Sequence, residues 1–219
     1  MKKKIVFGLG TGRCGTSSFS FLMNSQQSSF FGHELSPILP WEFEEKVTYK
    51  RSDATMTSIS FKYNQLMHQA HNYDIVGDSG SYYLPYVELL IRTLGDNDEF
   101  DLKFVILKRE KPGTVKSFLE KFRRQNNNPL QNHDGPKNHW DNCFPKYDNF
   151  WTLEESIEKY YDDYYKISSQ LAHEHPKFIK VFEMKDLNSE QGVKSIFEFL
   201  EIKNPLVLTG VKKNATEEL

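Results

Sequence analysis

The chain has 219 residues, enough for one domain with a substantial core and no need of disulfides or a structural metal. Its 30 acidic and 28 basic residues nearly cancel, so the overall field gives no reason to expect nucleic acid or an anionic membrane as partner; any basic site must be local. Two cysteines, Cys14 and Cys143, favour a reducing, cytoplasmic compartment, and no window approaches the apolar run of a membrane span, so a soluble protein is expected.

The opening MKKKIVFGLGTGRCG begins with the basic residues of a signal peptide, but its apolar stretch at 5–9 is too short for one and Arg13 follows at once. Residues 3–9 therefore read as a first strand that ends in glycines, followed over 16–23 by Phe19, Leu22 and Met23 at helical spacing. Further short apolar runs stand at 74–78 (DIVGD), 101–109 (DLKFVILKR) and 177–184 (KFIKVFEM), each ahead of a helical pattern. This alternation predicts an α/β fold, one domain with a central parallel sheet and helices on both faces. Helical patterns cover 58–70, 85–94 with Pro85 in the first turn, 112–124, 152–172 and 190–200, and Asn188 with Gln191 has the spacing of a capping box. Residues 126–150 are polar, rich in asparagine and proline, and too long for an ordinary connection, which predicts a lid or acceptor-binding segment. The domain is expected to span 1–210, with 211–219 as a mobile tail.

The octapeptide from Gly10 to Ser17, GTGRCGTS, has the glycine spacing of a phosphate-binding P-loop, G-x-x-x-x-G-K-[ST], with Thr16 where the lysine belongs. A strand that runs through glycines into a helix points backbone N–H groups and the positive end of the helix dipole at one anion. Threonine cannot supply the charge that reaches the outer phosphates of a nucleoside triphosphate, and the cation here is Arg13, three residues earlier.

Arg13-Cys14-Gly15-Thr16-Ser17 resembles the 5'-phosphosulfate loop, [KR]-x-G-[TS]-[ST], of the sulfotransferases that use 3'-phosphoadenosine 5'-phosphosulfate (PAPS). The resemblance implies a P-loop-type sulfotransferase fold, PAPS as sulfuryl donor, 3',5'-adenosine bisphosphate as product, and no required metal. It implies that Gly12, Arg13, Cys14, Gly15, Thr16, Ser17 and Ser18 surround the 5'-phosphate, with Arg13 facing the bridging oxygen that gains charge as sulfate leaves. That family also places an arginine at the end of a later strand and a serine eight residues on, together on the 3'-phosphate; FVILKREKPGTVKSF gives Arg109 and Ser117 at that spacing. Relatives of the tyrosylprotein and carbohydrate enzymes place a glutamate after a second strand as general base, and Glu34 lies twenty-one residues beyond Arg13. His33 is its rival, because other branches use histidine. A carboxylate among cations is expected to hold its proton weakly unless a bound acceptor desolvates it. The stretch VFEMKDLNSEQGVKSIFEFLEI resembles the family's last strand, turn and closing helix, so the resemblance spans about 4–202. One departure stands out: many relatives carry lysine-threonine-proline after the third strand, where this chain has Gly77-Asp78-Ser79-Gly80, and Asp78 is expected to face the acceptor instead.

Other groupings read as ordinary structure. His133, His139 and Cys143 lack metal-ligand spacing, and His68 with His71 fits a surface pair. Cys14 reads as a small residue in a tight loop. Tyr160, Tyr161, Tyr164 and Tyr165 recur at helical spacing as one core face; some of these rings, or Trp140 and Trp151, are alternatives for an acceptor pocket or adenine stack. Lys108, Lys111, Lys116, Lys121, Arg123 and Arg124 read mostly as a solvated helix face, with steering of a nucleotide that carries several negative charges as the alternative for some of them. The expected function is transfer of a sulfuryl group to an acceptor hydroxyl or amine on a small molecule, glycan or peptide. Two alternatives stand beside it: a P-loop nucleotide kinase or NTPase, against which the missing lysine counts, and a non-catalytic nucleotide-binding protein, which would not need Glu34.

Overall fold

Alternate residues of the first strand face opposite ways: Ile5, Phe7 and Leu9 enter one apolar cluster and Val6 another, all at most 2% exposed. A strand covered on both sides must be central, and the computed structural model, which describes residues 2–42, 53–131, 140–148 and 150–210, puts it there. Strand β1 (Lys3–Leu9) is flanked by β3 (Ile75–Ser79) and β4 (Phe100–Lys108), with β2 (Ser29–His33) and β5 (Ile179–Glu183) outside them, in the order β2-β3-β1-β4-β5. Every pairing is parallel.

The connections are helical. On one face lie α1 (Thr16–Asn24) and α6 (Glu190–Leu200), which bury Phe19, Leu22, Met23, Val193, Ile196 and Phe197 against Val6, Val105 and Leu107. On the other lie α2 (Asp53–Ala70), α3 (Val87–Leu94), α4 (Lys111–Gln125) and α5 (Leu153–Glu174), packed on Ile5, Phe7, Phe104 and Ile106. The predicted one-domain α/β architecture with a parallel sheet between helical layers is therefore the one observed.

Local expectations were adjusted at three points. Pro85 lies in a 3-10 turn (Ser81–Tyr86), and α3 begins only at Val87. Ser189, rather than Asn188, caps α6, its hydroxyl accepting the Gly192 N–H at 3.1 Å. The described ends of the 126–150 segment are anchored: Leu130, Cys143 and Phe144 are buried, and the Trp41 N–H donates to the Asn142 carbonyl at 2.8 Å. The centre of that segment, with His133 and His139, and the 211–219 tail lie outside the described residues. No described helix is long and apolar enough to cross a membrane.

Because β1 sends the chain to β3 and β2 on one side and to β4 and β5 on the other, a crevice opens at the carboxyl ends of the central strands. Arg13 follows β1, Glu34 follows β2, Asp78 closes β3 and Arg109 follows β4, so one edge of the sheet gathers residues distant in sequence.

Candidate active site

The loop between β1 and α1 needs its glycines. Gly12 has φ 85° and Gly15, the N-cap of α1, has φ 95°, both in the left-handed region that side chains avoid. Among the described residues no side chain caps the α1 N-terminus, and its first turn holds no acidic residue, so the positive end of the helix dipole lies at the crevice. Thr16 is buried, Ser17 and Ser18 are half-buried, and the Cys14 side chain is turned wholly into the core. Burial pushes the Cys14 thiol up to about 11, which suits packing rather than nucleophilic attack.

Arg13 itself has φ 58°, an uncommon conformation for a residue with a side chain, and its Nε donates to the Ser117 hydroxyl at 2.9 Å. Arg109 Nη1 donates to the Arg13 carbonyl at 3.4 Å. The two phosphate-binding signatures of the sequence thus meet in one contact chain. Arg109 Nε is buried and makes no hydrogen bond; the Glu110 carboxylate lies 3.5 Å away and is mostly exposed. Burial lowers the Arg13 pKa, and the charges of Arg124 and Arg109 lower it further, only partly opposed by Glu120.

Lys121 belongs to this cluster as well, although its sequence position reads as a solvated helix face. Ser117, Lys121 and Arg124 share one face of α4 at helical spacing. Lys121 is half-buried, burial lowers its pKa, and it feels both the Glu34 carboxylate and the Arg13 charge. The signal available in the sequence was its place one turn beyond Ser117.

His33 and Glu34 complete the crevice from the β2 side. His33 Nε2 lies 3.4 Å from the Thr16 hydroxyl and its Nδ1 lies 3.8 Å from Glu34 Oε2, linking loop, imidazole and carboxylate. Glu34 has φ 57°, so the two foremost candidates for catalysis, Arg13 and Glu34, both hold left-handed backbone without being glycine. The Glu34 pKa is raised, not lowered. Burial outweighs the favourable charges of His33, Lys121 and Lys62, and Asp78 adds to the rise. The protein itself thus provides the desolvation that the sequence reading assigned to an acceptor.

Asp78 does not face the crevice as expected. It is fully buried and bonded to Lys62, Tyr82, Tyr83 and the Leu35 N–H, because the residues after β3 and the side of α2 close over it. Beyond Glu34 an open cleft of about 640 Å³ is lined by Ser36, Pro37, Ile38, Pro40, Thr55, Ser58 and Asn142, a mixture of hydroxyl, amide and apolar groups.

The tyrosines of α5 form the core face that their spacing predicts, and their hydroxyls do more. Tyr164 accepts the Gly10 N–H at 2.9 Å and donates to the Ser81 carbonyl, while Tyr160 donates to the Thr11 carbonyl at 3.0 Å. Tyr161 and Tyr165 donate to the carbonyls of Arg109 and Leu107, each at 2.7 Å. The glycine loop and the end of β4 are thereby held from behind by one helix. Trp151 instead stacks on Tyr147, and His68 and His71 are exposed.

No protein-family model and no curated protein matches this chain. Solved structures are similar to it, two sulfotransferases among them. The sulfotransferase from Alicyclobacillus acidocaldarius is 15% identical, with 94% of this chain and 83% of that one covered and a TM-score of 0.54. The sulfotransferase domain from the curacin biosynthetic pathway is 14% identical, with 91% and 74% covered and a TM-score of 0.57. At this identity the likeness is one of fold: the chain has a sulfotransferase fold.

Proposed function

We propose that this chain transfers a sulfuryl group from PAPS to an acceptor hydroxyl or amine, with 1–210 as the catalytic domain and 126–150 contributing to acceptor binding. The observation that carries the reading is the contact chain Arg109–Arg13–Ser117 at the uncapped N-terminus of α1, beside a carboxylate whose proton affinity is raised. A buried guanidinium nitrogen with no hydrogen-bond partner among the described residues, beside an Arg13 whose pKa burial and the charges of Arg124 and Arg109 lower, fits an anion with more than one phosphate.

When bound, PAPS supplies an activated sulfuryl group on a good leaving phosphate. Backbone amides from Gly12 to Ser18, with the hydroxyls of Thr16 and Ser17, would hold the 5'-phosphate, and Arg109 with Ser117 the 3'-phosphate. Arg13 offsets the negative charge that grows on the leaving side, and Lys121 adds a second cation between Arg13 and Glu34. The acceptor lies in the cleft beyond Glu34 and loses its proton to the Glu34 carboxylate, with His33 as the alternative base.

The test is binding and transfer together. At a hundredfold excess over its Kd, 3',5'-adenosine bisphosphate should stabilise the native state by about 2.7 kcal/mol, or roughly 5 to 10 °C in Tm. Labelled PAPS should then pass its sulfur to an acceptor in a screen of small molecules, glycans and peptides. A flat melting curve with the bisphosphate, alongside a magnesium-dependent shift with ATP, would replace this reading with the kinase one.

A further inference from the structure

The backbone of Leu35, the residue that follows Glu34, is gripped on both its N–H and its carbonyl, more tightly than its place in a surface crevice requires. Leu35 N–H donates to both oxygens of Asp78 at 3.2 Å. The Leu35 carbonyl receives Lys62 Nζ and, at 3.3 Å, the Tyr82 hydroxyl. On the other side, the Glu34 N–H donates to the Ser79 carbonyl at 2.8 Å. Beneath, Asp78 Oδ2 also accepts from Tyr83 at 2.6 Å, from Tyr82 at 3.0 Å and from Lys62 at 3.0 Å. The Lys62 and Asp78 side chains are only 4% and 0% exposed.

A buried ion pair needs an explanation, because well-packed apolar residues of similar volume commonly give equal or greater stability. The partners here converge from α2, from the end of β3 and from the turn after it, on the two backbone groups of one residue, Leu35. Leu35 directly follows a left-handed glutamate, a conformation the residue does not prefer. We propose that Asp78, Lys62, Tyr82 and Tyr83 are positioning residues for Glu34: they clamp the turn that aims its carboxylate into the crevice and balance the charge which that carboxylate meets from below.

Charged groups on four parts of the chain act on the Glu34 carboxylate. His33 on β2, Lys121 on α4 and Lys62 on α2 favour its ionised form, and Asp78 on β3 favours the acid. Cys143, in the turn beside the cleft, feels the Glu34 charge, and burial pushes its thiol up to about 12, so it stays neutral. Lys62 and Asp78 act on Glu34 with opposite signs while both are present. Removing one exposes the charge of the other, with opposite signs, and this a purely structural role would not produce.

The proposal rests on Glu34 as the base, and its test is chosen to be readable without turnover. The Glu34 carboxyl is followed by carbon-13 NMR titration and assigned by its disappearance in Glu34→Gln. Its titration should move to higher pH in Lys62→Met and to lower pH in Asp78→Asn, each by about 0.5 to 1 unit, and return close to the parent in the double variant. Titrations that do not move, or that move the same way in both single variants, overturn the proposal. If Glu34→Gln transfers sulfuryl groups at the normal rate, the base reading fails while the titration still judges the cluster. Should the charged variants not fold, Tyr82→Phe keeps both charges and removes one donor from the Leu35 carbonyl. It should then speed hydrogen exchange of the Leu35 amide by roughly tenfold relative to the global rate, and exchange at the parent rate overturns the proposal.

Discussion

At the amino-terminal edge of the sheet, Lys4 meets Asp101 at 2.5 Å and Glu201 at 3.5 Å, while Lys103 meets the same two carboxylates at 3.9 and 3.3 Å. At the carboxyl edge, Arg13 is surrounded by Arg109, Arg124 and Lys121, with Glu120 as a weaker counterweight and Glu110 turned mostly to solvent. Both edges bury cations in part. One edge neutralises them with its own acids, and the other leaves them in excess around a helix N-terminus. The first arrangement is complete as folded, whereas the second leaves a surplus of positive charge that would favour an anion. A surplus of cations beside the α1 N-terminus is therefore what marks the candidate functional edge.

Substitutions at the two edges should separate activity from stability. Glu34→Gln should lower turnover by roughly 100- to 10,000-fold while bisphosphate affinity persists, the range expected for loss of a general base. His33→Asn is its control, and a collapse there with normal turnover in Glu34→Gln would transfer the role to the imidazole. Arg13→Gln should cost roughly 100- to 1,000-fold in turnover, as for removal of one charge-stabilising donor. At the opposite edge, Lys4→Met leaves Asp101 with only a distant cation and should lower unfolding free energy by about 1 to 3 kcal/mol with little change in transfer. Chemical denaturation and steady-state rates on the same samples check both halves. An activity loss in Lys4→Met at unchanged stability would break the comparison.

Within the functional edge, Arg109→Ala should distinguish the two phosphates. It should weaken the bisphosphate by roughly 1.5 to 3 kcal/mol, and adenosine 5'-phosphosulfate, which has no 3'-phosphate, much less. Equal losses measured by calorimetry for the two ligands would show that Arg109 does not read the 3'-phosphate.

The sheet and the loop were legible in the sequence because their causes are local. Strands buried on both faces read as unbroken apolar runs, and glycine spacing marks a loop that needs left-handed backbone. Arg109 and Ser117 were singled out through the resemblance to a family spacing, and the structure brings both against Arg13. Lys121 was not, because a charged residue on a helix reads as solvated until one knows that the Ser117 face is turned to a site. Asp78 was misplaced for a related reason: its partner Lys62 lies on another element, and no periodicity connects a strand end to a helix side. For Glu34, counting neighbouring charges predicted a weakly held proton, whereas burial decides the sign. The spacing of the four tyrosines gave the core face but not the destinations of their hydroxyls, which depend on where the loop lies in three dimensions.

Those hydroxyls allow a finer comparison within the functional edge. Tyr161→Phe removes one donor from the Arg109 carbonyl and should cost about 0.5 to 1.5 kcal/mol of stability, as a single hydrogen bond does. Tyr164→Phe should cost more, about 1 to 3 kcal/mol, because it leaves the buried Gly10 N–H without an acceptor and the Ser81 carbonyl without that donor. Equal losses in denaturant unfolding would mean that the loop relaxes to satisfy Gly10 by another route.

The smallest expected effect concerns the stability that Glu34 withholds. Its folded-state pKa lies above the unfolded value because burial disfavours the carboxylate, so the folded protein binds this proton more readily than the unfolded chain. The favourable contribution of the protonated form is fully present below the unfolded pKa, near 4.3 for an ordinary glutamate, and is lost as pH rises through the raised folded value. Above that folded value the ionised Glu34 therefore destabilises the fold, and Glu34→Gln should there have a higher Tm than the parent. The difference should shrink as pH falls and vanish below about pH 4, where both side chains are neutral. Melting curves of the two proteins from pH 4 to 8 measure it directly. A Tm gap of constant size across that range would show that the glutamine packs better for reasons unrelated to charge, and that the Glu34 carboxylate is not strained by its surroundings.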